Sequence, residues 1–262
     1  MNDRPDNLLE MIRRALQTQA EMGIGEIVVR TNGVSGARDT ARLLANCERV
    51  VPVAQALAAE TDRPDTFQGS LDMDTEPHYE NLHAHLEAIS DCSKCPLGAT
   101  RNKFVYGVGN PNADILFIGE APGAEEDRLG EPFVGRAGKL LDRILAAMKL
   151  SRKDVYIANI LKCRPPGNRD PLPEEMDKCF PHLREQVRLI KPKLICALGR
   201  VAAQALLRTT ASLGTLRGGW HTYEGVPLLV SYHPAALLRF PKYKKDTWDD
   251  MQKLMARYES MK

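Results

Sequence analysis

No stretch of this 262-residue chain approaches the roughly 18–20 consecutive apolar residues that a membrane-spanning helix requires. The first ten residues lack both a basic segment and a long apolar core, so nothing there resembles an export signal. No internal repeat is evident, which argues against a solenoid or propeller. Without an export signal, a cytoplasmic setting is expected, and in that reducing compartment six cysteines suit metal ligation better than disulfides. The length and the 43% hydrophobic content allow one large domain, or one domain plus an extension.

Net charge is also nearly absent, at +2, but the total hides an asymmetry. Residues 1–91 carry 8 Lys and Arg against 16 Asp and Glu, a net of −8. Residues 92–262 carry 28 against 18, a net of +10. A basic C-terminal part supplies the sequence-independent attraction to phosphate on which nucleic-acid binding relies. The acidic part is expected to be separate. Residues 7–22 show a helical apolar period, 25–30 a short strand, 37–50 a second helix, and 60–77 the polar composition of a linker. We therefore divide the chain into an acidic extension with linker, 1–80, and a domain at 81–262, which opens with a helix near 80–90.

From residue 92 the punctuation is regular. DILFIG (114–119), DVYIANI (154–160), KLICALG (193–199) and PLLVSY (227–232) are short apolar runs, separated by helical patterns at 137–148, 173–190 and 200–207. Buried strands alternating with helices predict a parallel sheet covered on both faces. The chemically interesting residues follow the strand ends, where an open α/β sheet places its ligand crevice. GEAPG (119–123) follows the first strand, Asn159 ends the second, and His233-Pro234 follows the last.

Four cysteines fall in two pairs, Cys92-x-x-Cys95 and Cys163-x15-Cys179. Four thiolates from two separated segments match the ligands of a [4Fe–4S] cluster or of a structural zinc, and the ligands alone leave both open. Pro96 directly after Cys95 matches the Cys-Pro of ferredoxin-type sites. Cys47 and Cys196 are left over, and the apolar run around Cys196 predicts burial. His78, His83 and His85 near the first pair read as solvated or capping residues.

Taken together, GEAPG (119–123), GEPFVGRAGKLLD (130–142), IANILKCRPPGNRDPLPEE (157–175) and SYHPAALLR (231–239) resemble the family 4 uracil-DNA glycosylases, the iron–sulfur members of their superfamily. The resemblance covers about residues 88–258. It implies a three-layer α/β/α sandwich with a central, mainly parallel four-stranded sheet. It also implies a structural [4Fe–4S] cluster on Cys92, Cys95, Cys163 and Cys179, and excision of uracil from DNA without a diffusible cofactor.

The resemblance assigns roles residue by residue. Phe133 stacks on the base, Asn159 reads it, Ala121 offers only its backbone amide, and Glu126 crowds uracil C5. His233 donates to O2 as charge develops, while Glu120 or Asn168 holds the water. Leu237, Leu238 and Arg239 occupy the place of a wedge that enters the base stack and meets the backbone. Lys94, Arg101, Arg164 and Arg169 would face phosphates. The expected partner is uracil-containing DNA, handled by a monomer with no membrane attachment, with room for a replication or repair protein. The rival reading is a non-catalytic, cluster-bearing nucleic-acid-binding module, which would not need Glu120, Asn159, Asn168 and His233 together.

Overall fold

The computed structural model describes residues 78–262. The expected helices at 7–22 and 37–50, the strand at 25–30, the linker at 60–77 and Cys47 lie outside the described residues.

Six strands form one sheet: β1 Val108–Gly109, β2 Ile115–Gly119, β3 Tyr156–Asn159, β4 Leu194–Leu198, β5 Trp220–Tyr223 and β6 Val226–Ser231, in spatial order β1-β3-β2-β4-β6-β5. The inner four, β3-β2-β4-β6, are mutually parallel, as the sequence predicts. The edges differ from the expected four-stranded sheet, because β1 and β5 add antiparallel borders. Both are short, and β5 is reached from β6 by a tight turn through Glu224 and Gly225, at φ 47° and 77°. Such short half-exposed strands carry no long apolar run, so composition does not announce them.

Strand periodicity builds the layers. Leu116, Ile118, Ile195, Ala197, Leu228 and Val230 point to one face, where α5 (Pro173–Ile190) and α6 (Arg200–Leu207) cover them. Ile115, Phe117, Leu194, Cys196, Leu198 and Leu229 point to the other, against α4 (Arg136–Ala147) and α9 (Lys244–Glu259). Neighbours such as Leu116 and Phe117 are both fully buried on opposite faces, which is the signature of a sheet sandwiched between helices. Cys196 is buried as expected.

The remaining helices frame the strand ends. They are α1 Leu82–Ile89, α2 Leu97–Thr100, α3 Ala124–Leu129, α7 Leu213–Leu216 and α8 Pro234–Arg239. The chain passes from β2 to β3 on one side, then crosses to β4 and β6 on the other. That reversal opens a crevice at the carboxyl ends of the strands.

Candidate active site and cysteine cluster

The strand ends bring Gly119, Glu120, Asn159, Gly199 and His233 into one region. A Cβ on Gly119 would lie 2.4 Å from Asn159 Oδ1 and 2.6 Å from Phe133 Cζ, so the bare glycine lets the amide and the ring share one pocket. Likewise a Cβ on Gly199 would lie 2.9 Å from His233 Cβ, and Gly199 adopts φ 96°, a conformation that favours glycine. The rings of Phe133 and His233 stand 5.4 Å apart between centroids.

Asn159 is 2% exposed, and its Oδ1 has no hydrogen-bond partner among the described residues. A buried acceptor left unpaired costs about 1–3 kcal/mol, so it marks a place where a ligand donor belongs. Its backbone is held from behind: Lys162, fully buried, donates from Nζ to the Asn159 carbonyl at 2.8 Å and to Gln186 Oε1 at 2.6 Å. Gln186 in turn donates to the Tyr106 carbonyl at 3.0 Å.

His233 caps α8, and its Nδ1 accepts from the Ala235 amide at 3.1 Å. Nδ1 is therefore unprotonated, and the neutral ring carries its proton on Nε2 as a donor. Burial, reinforced by the Arg239 charge and opposed by Glu126, lowers its pKa to about 4. At neutral pH the ring is uncharged. The strand before it is anchored by Ser231, which donates to Asp250 Oδ2 at 2.8 Å, and Asp250 also accepts from Arg217 at 2.9 and 3.0 Å.

Glu120 is half-buried, and burial, assisted by Asp170, raises its pKa to about 7 against the opposing pull of Arg200 and Arg239. A carboxyl poised there changes charge in the physiological range. Its backbone carbonyl accepts from Leu161 at 3.0 Å, which ties the loop after β2 to the chain leaving β3.

Phe133 is 4% exposed at φ 55°. Two devices hold it in that left-handed conformation. Arg152 donates to the carbonyls of both Pro132 and Phe133, and the Phe133 carbonyl sits so close to Gly138 that a Cβ there would overlap it. Glu126 Oε1 accepts from the amides of Val134 and Gly135, each at 2.9 Å, and so fixes the entry into α4. Its other oxygen faces Gly123, where an added Cβ would lie 2.7 Å away.

Other expected residues fall elsewhere. Asn168 is exposed at φ 56°, and its Oδ1 accepts from Arg164 Nε at 2.8 Å. Leu237 is 1% exposed and lies under the surface formed by α4 and α9, which corrects its place in the wedge. It is on the inner side of α8, whereas Leu238 is half-buried and Arg239 exposed. Arg101 also differs from expectation: it turns inward to the carbonyls of Cys92 and Ser90, the latter at 3.0 Å, rather than outward to phosphate. Arg169 pairs with the buried Glu175 at 2.6 Å, fastening the loop to the start of α5.

Cys163 and Cys179 are buried with Leu97 and Leu161, and Cys95, Phe104 and Ala121 pack against that group. Ala121 thus joins the pocket loop to the cysteines. Three sulfurs have donors nearby: Cys163 accepts from Arg101 Nη1 at 3.4 Å, Cys179 from the Lys162 amide at 3.4 Å, and Cys92 lies 3.5 Å from His182 Nε2. Burial pushes the Cys179 thiol up to about 12 and raises Cys163, whose ionisation Cys95 and Cys92 also oppose. His85, expected at the surface, is instead 1% exposed with Nδ1 2.8 Å from the Tyr106 hydroxyl.

With this geometry in view, the sequence pattern of the Uracil DNA glycosylase superfamily matches residues 106–252. The type-4 uracil-DNA glycosylase of Archaeoglobus fulgidus is 44% identical over 183 residues, covering 67% of this chain and 92% of that protein. The chain belongs to the type-4 group of this superfamily. The type-4 protein of Saccharolobus solfataricus is 43% identical over 67% of the chain and 85% of its own length. A type-5 protein of Pyrobaculum aerophilum is more distant, at 34% over 49% of the chain and 64% of its own length. The superfamily match spans the strand-end residues and Cys163 and Cys179, while Cys92 and Cys95 precede its first residue.

Sequence reasoning missed Lys162, Arg152 and His182. A lysine beside a cysteine reads as a surface cation, and only the fold turns it inward to the Asn159 carbonyl. His182 carries a signal that could have found it: it follows Cys179 by three residues, one helical turn along the same face.

Proposed function

We propose that this chain excises uracil from DNA by flipping the nucleotide into the strand-end pocket and hydrolysing its N-glycosidic bond. The observation that carries this reading is the buried, unpartnered Oδ1 of Asn159 beside the Phe133 ring. Uracil offers N3–H to that acceptor and O4 to the amide NH2, while cytosine presents the reverse pattern. Phe133 supports the base face, and the flip itself costs a few kcal/mol, least for a base already unpaired.

In the chemical step the C1′–N1 bond breaks and its electron pair leaves with uracil, spreading onto O2. The Nε2–H of His233 stabilises that charge, and because the ring is neutral it does so without giving up its proton. Ionised Glu120 stabilises the positive sugar and accepts a proton from the water that attacks C1′. Asn168, the alternative holder of the water, is exposed with its oxygen taken by Arg164, which favours Glu120 for that role. Glu126 acts here through the loop amides it holds, and Ala121 through its backbone. Incubating the protein with a uracil-containing oligonucleotide and cleaving abasic sites with alkali tests the proposal. Strand scission at uracil alone is expected, and an intact strand would refute it.

Glu120 sets the pH dependence. Its carboxyl is ionised above about 7 and protonated below, so activity is present above that value and lost as pH falls through it. Single-turnover rates should drop about tenfold for each pH unit well below the midpoint. Glu120→Gln should remove the slope along with most of the rate. A wild-type profile flat from pH 5 to 8 would remove Glu120 from this role.

Cys92, Cys95, Cys163 and Cys179 fit a [4Fe–4S] cluster. The thiols of Cys163 and Cys179, whose burial raises their pKa, ionise readily only beside a metal's charge, and each has one N–H donor on its sulfur, with His182 beside that of Cys92. Among the described residues no three Cys, His, Asp or Glu converge on the position of a single ion. Bound there, the cluster would crosslink the 92–95 segment to Cys163, which leads into the Asn168 loop, and to Cys179 in α5, with Ala121 packed alongside. Protein purified without oxygen should be brown and hold iron and acid-labile sulfide, and stoichiometric zinc without sulfide would contradict this.

The protein would act as a monomer on uracil-containing DNA in the cytoplasm, where reduced thiols persist. The acidic extension is read as separable, so a chain beginning at Pro77 should stay folded and retain uracil release within about twofold. It should also bind DNA more tightly at low salt, since most of the −8 carried by residues 1–91 has been removed. An insoluble or inert product would place residues 1–76 in the catalytic core.

A further inference from the structure

Phe240 is the most exposed large apolar side chain among the described residues, at 53%, and no part of the mechanism above uses it. Its place is specific. It directly follows α8, the helix that His233 caps, and seven steps of about 1.5 Å set its backbone roughly 10 Å along the axis from that of His233. Its ring meets Tyr243 edge-on, with centroids 6.0 Å apart at 66°. Tyr243 stacks on Tyr232 at 4.4 Å and 17°, and Tyr232 directly precedes His233. The three rings form a ridge fixed to the strand that bears the histidine.

Along the chain, the charge flanking Phe240 is of one sign, while Asp246 lies at the Tyr232 end beside Arg217. Residues 239–245, RFPKYKK, hold four cations and no acid, and Arg239, Lys242, Lys244 and Lys245 are all exposed. Lys242 Nζ lies 5.2 Å from the Tyr243 ring centre. Exposed aromatics interleaved with cations make a platform on which unpaired bases stack while phosphates are neutralised. With Leu237 buried and Leu238 half-buried, Phe240, the residue just after α8, is the most exposed apolar group at this end of the helix.

We propose that Phe240 is a stacking platform for an unpaired base flanking the uracil in the same strand. The ligand class is single-stranded DNA, held by one ring face and the Arg239–Lys245 cations. This rests on reading the neighbouring pocket as a DNA site. Its test uses no uracil, so failure of the platform and failure of the glycosylase reading give different results.

The probes are a labelled short oligothymidylate and an oligomer of equal phosphate number lacking all bases. Wild-type full-length protein should bind the oligothymidylate about tenfold more tightly at matched salt. Phe240→Ala should lose most of that preference while binding the base-less oligomer as before, and Phe240→Tyr should restore it. In Phe240→Trp, the added indole emission should be quenched by oligothymidylate and not by the base-less oligomer, after subtracting Trp220 and Trp248. A Phe240→Ala variant that keeps the wild-type preference, or a wild type that binds both oligomers equally, would overturn the proposal. So would an added indole in Phe240→Trp that oligothymidylate leaves unquenched.

Discussion

Replacing His233 with alanine is expected to slow uracil release on the order of 10²–10³-fold, with little change in the affinity for substrate DNA. The Nδ1 of His233 is occupied by the Ala235 amide at 3.1 Å, so Nε2–H is the one donor the neutral ring presents. A preorganised donor acts on charge that exists only in the transition state, which is why its removal lowers the rate rather than binding. Because the histidine pKa lies near 4, its loss should leave the slope near pH 7 in place. That slope belongs to Glu120. His233→Gln, which keeps an N–H donor of similar reach, should recover part of the loss. Single-turnover rates for the three proteins across pH 5–8 decide the matter, and an alanine variant within threefold of wild type would remove His233 from the chemical step.

Asn159→Asp is expected to reduce uracil release roughly 10–100-fold, from the about 1–3 kcal/mol attached to one lost buried hydrogen bond. A carboxylate still accepts from N3–H, but it faces O4 with a second acceptor in a pocket that is 2% exposed at this residue. The same group accepts from the exocyclic amine of cytosine, so a trace of cytosine release should appear. Asn159→Ala should weaken uracil release without that gain. Parallel assays on uracil and cytosine oligonucleotides separate these outcomes. Wild-type uracil release by Asn159→Asp would mean that the residue does not read the base.

The four parallel strands were legible because each is a run such as ILFIG or LICAL, buried on both faces and bounded by helical periods. The edge strands were not, since Val108–Gly109 and Trp220–Tyr223 are half-exposed and take their form from a neighbour. Among the candidate site residues, the placing of Asn159, Glu120 and His233 at the ends of parallel strands was legible, because each follows or closes an apolar run. Leu237 is buried, an outcome that motif spacing could not decide, because spacing does not tell which side of a six-residue helix faces the core. Arg101 was misread for a related reason: a cation near a predicted DNA surface looks outward in sequence, yet the Cys92 and Ser90 carbonyls needed a donor. Lys162 is the clearest limit. Its ammonium is held by the Asn159 carbonyl three residues back and by Gln186, 24 residues on, and the second of these contacts no local pattern encodes.

The unpartnered Asn159 Oδ1 is the acceptor proposed for uracil N3–H, and free bases test that contact without DNA or catalysis. Calorimetric titration with uracil and with 3-methyluracil, which lacks the N3–H donor, isolates it. The expected result is measurable binding of uracil and at least roughly tenfold weaker binding of 3-methyluracil, with the difference abolished in Asn159→Ala. Equal binding of the two bases by the wild-type protein would contradict the account.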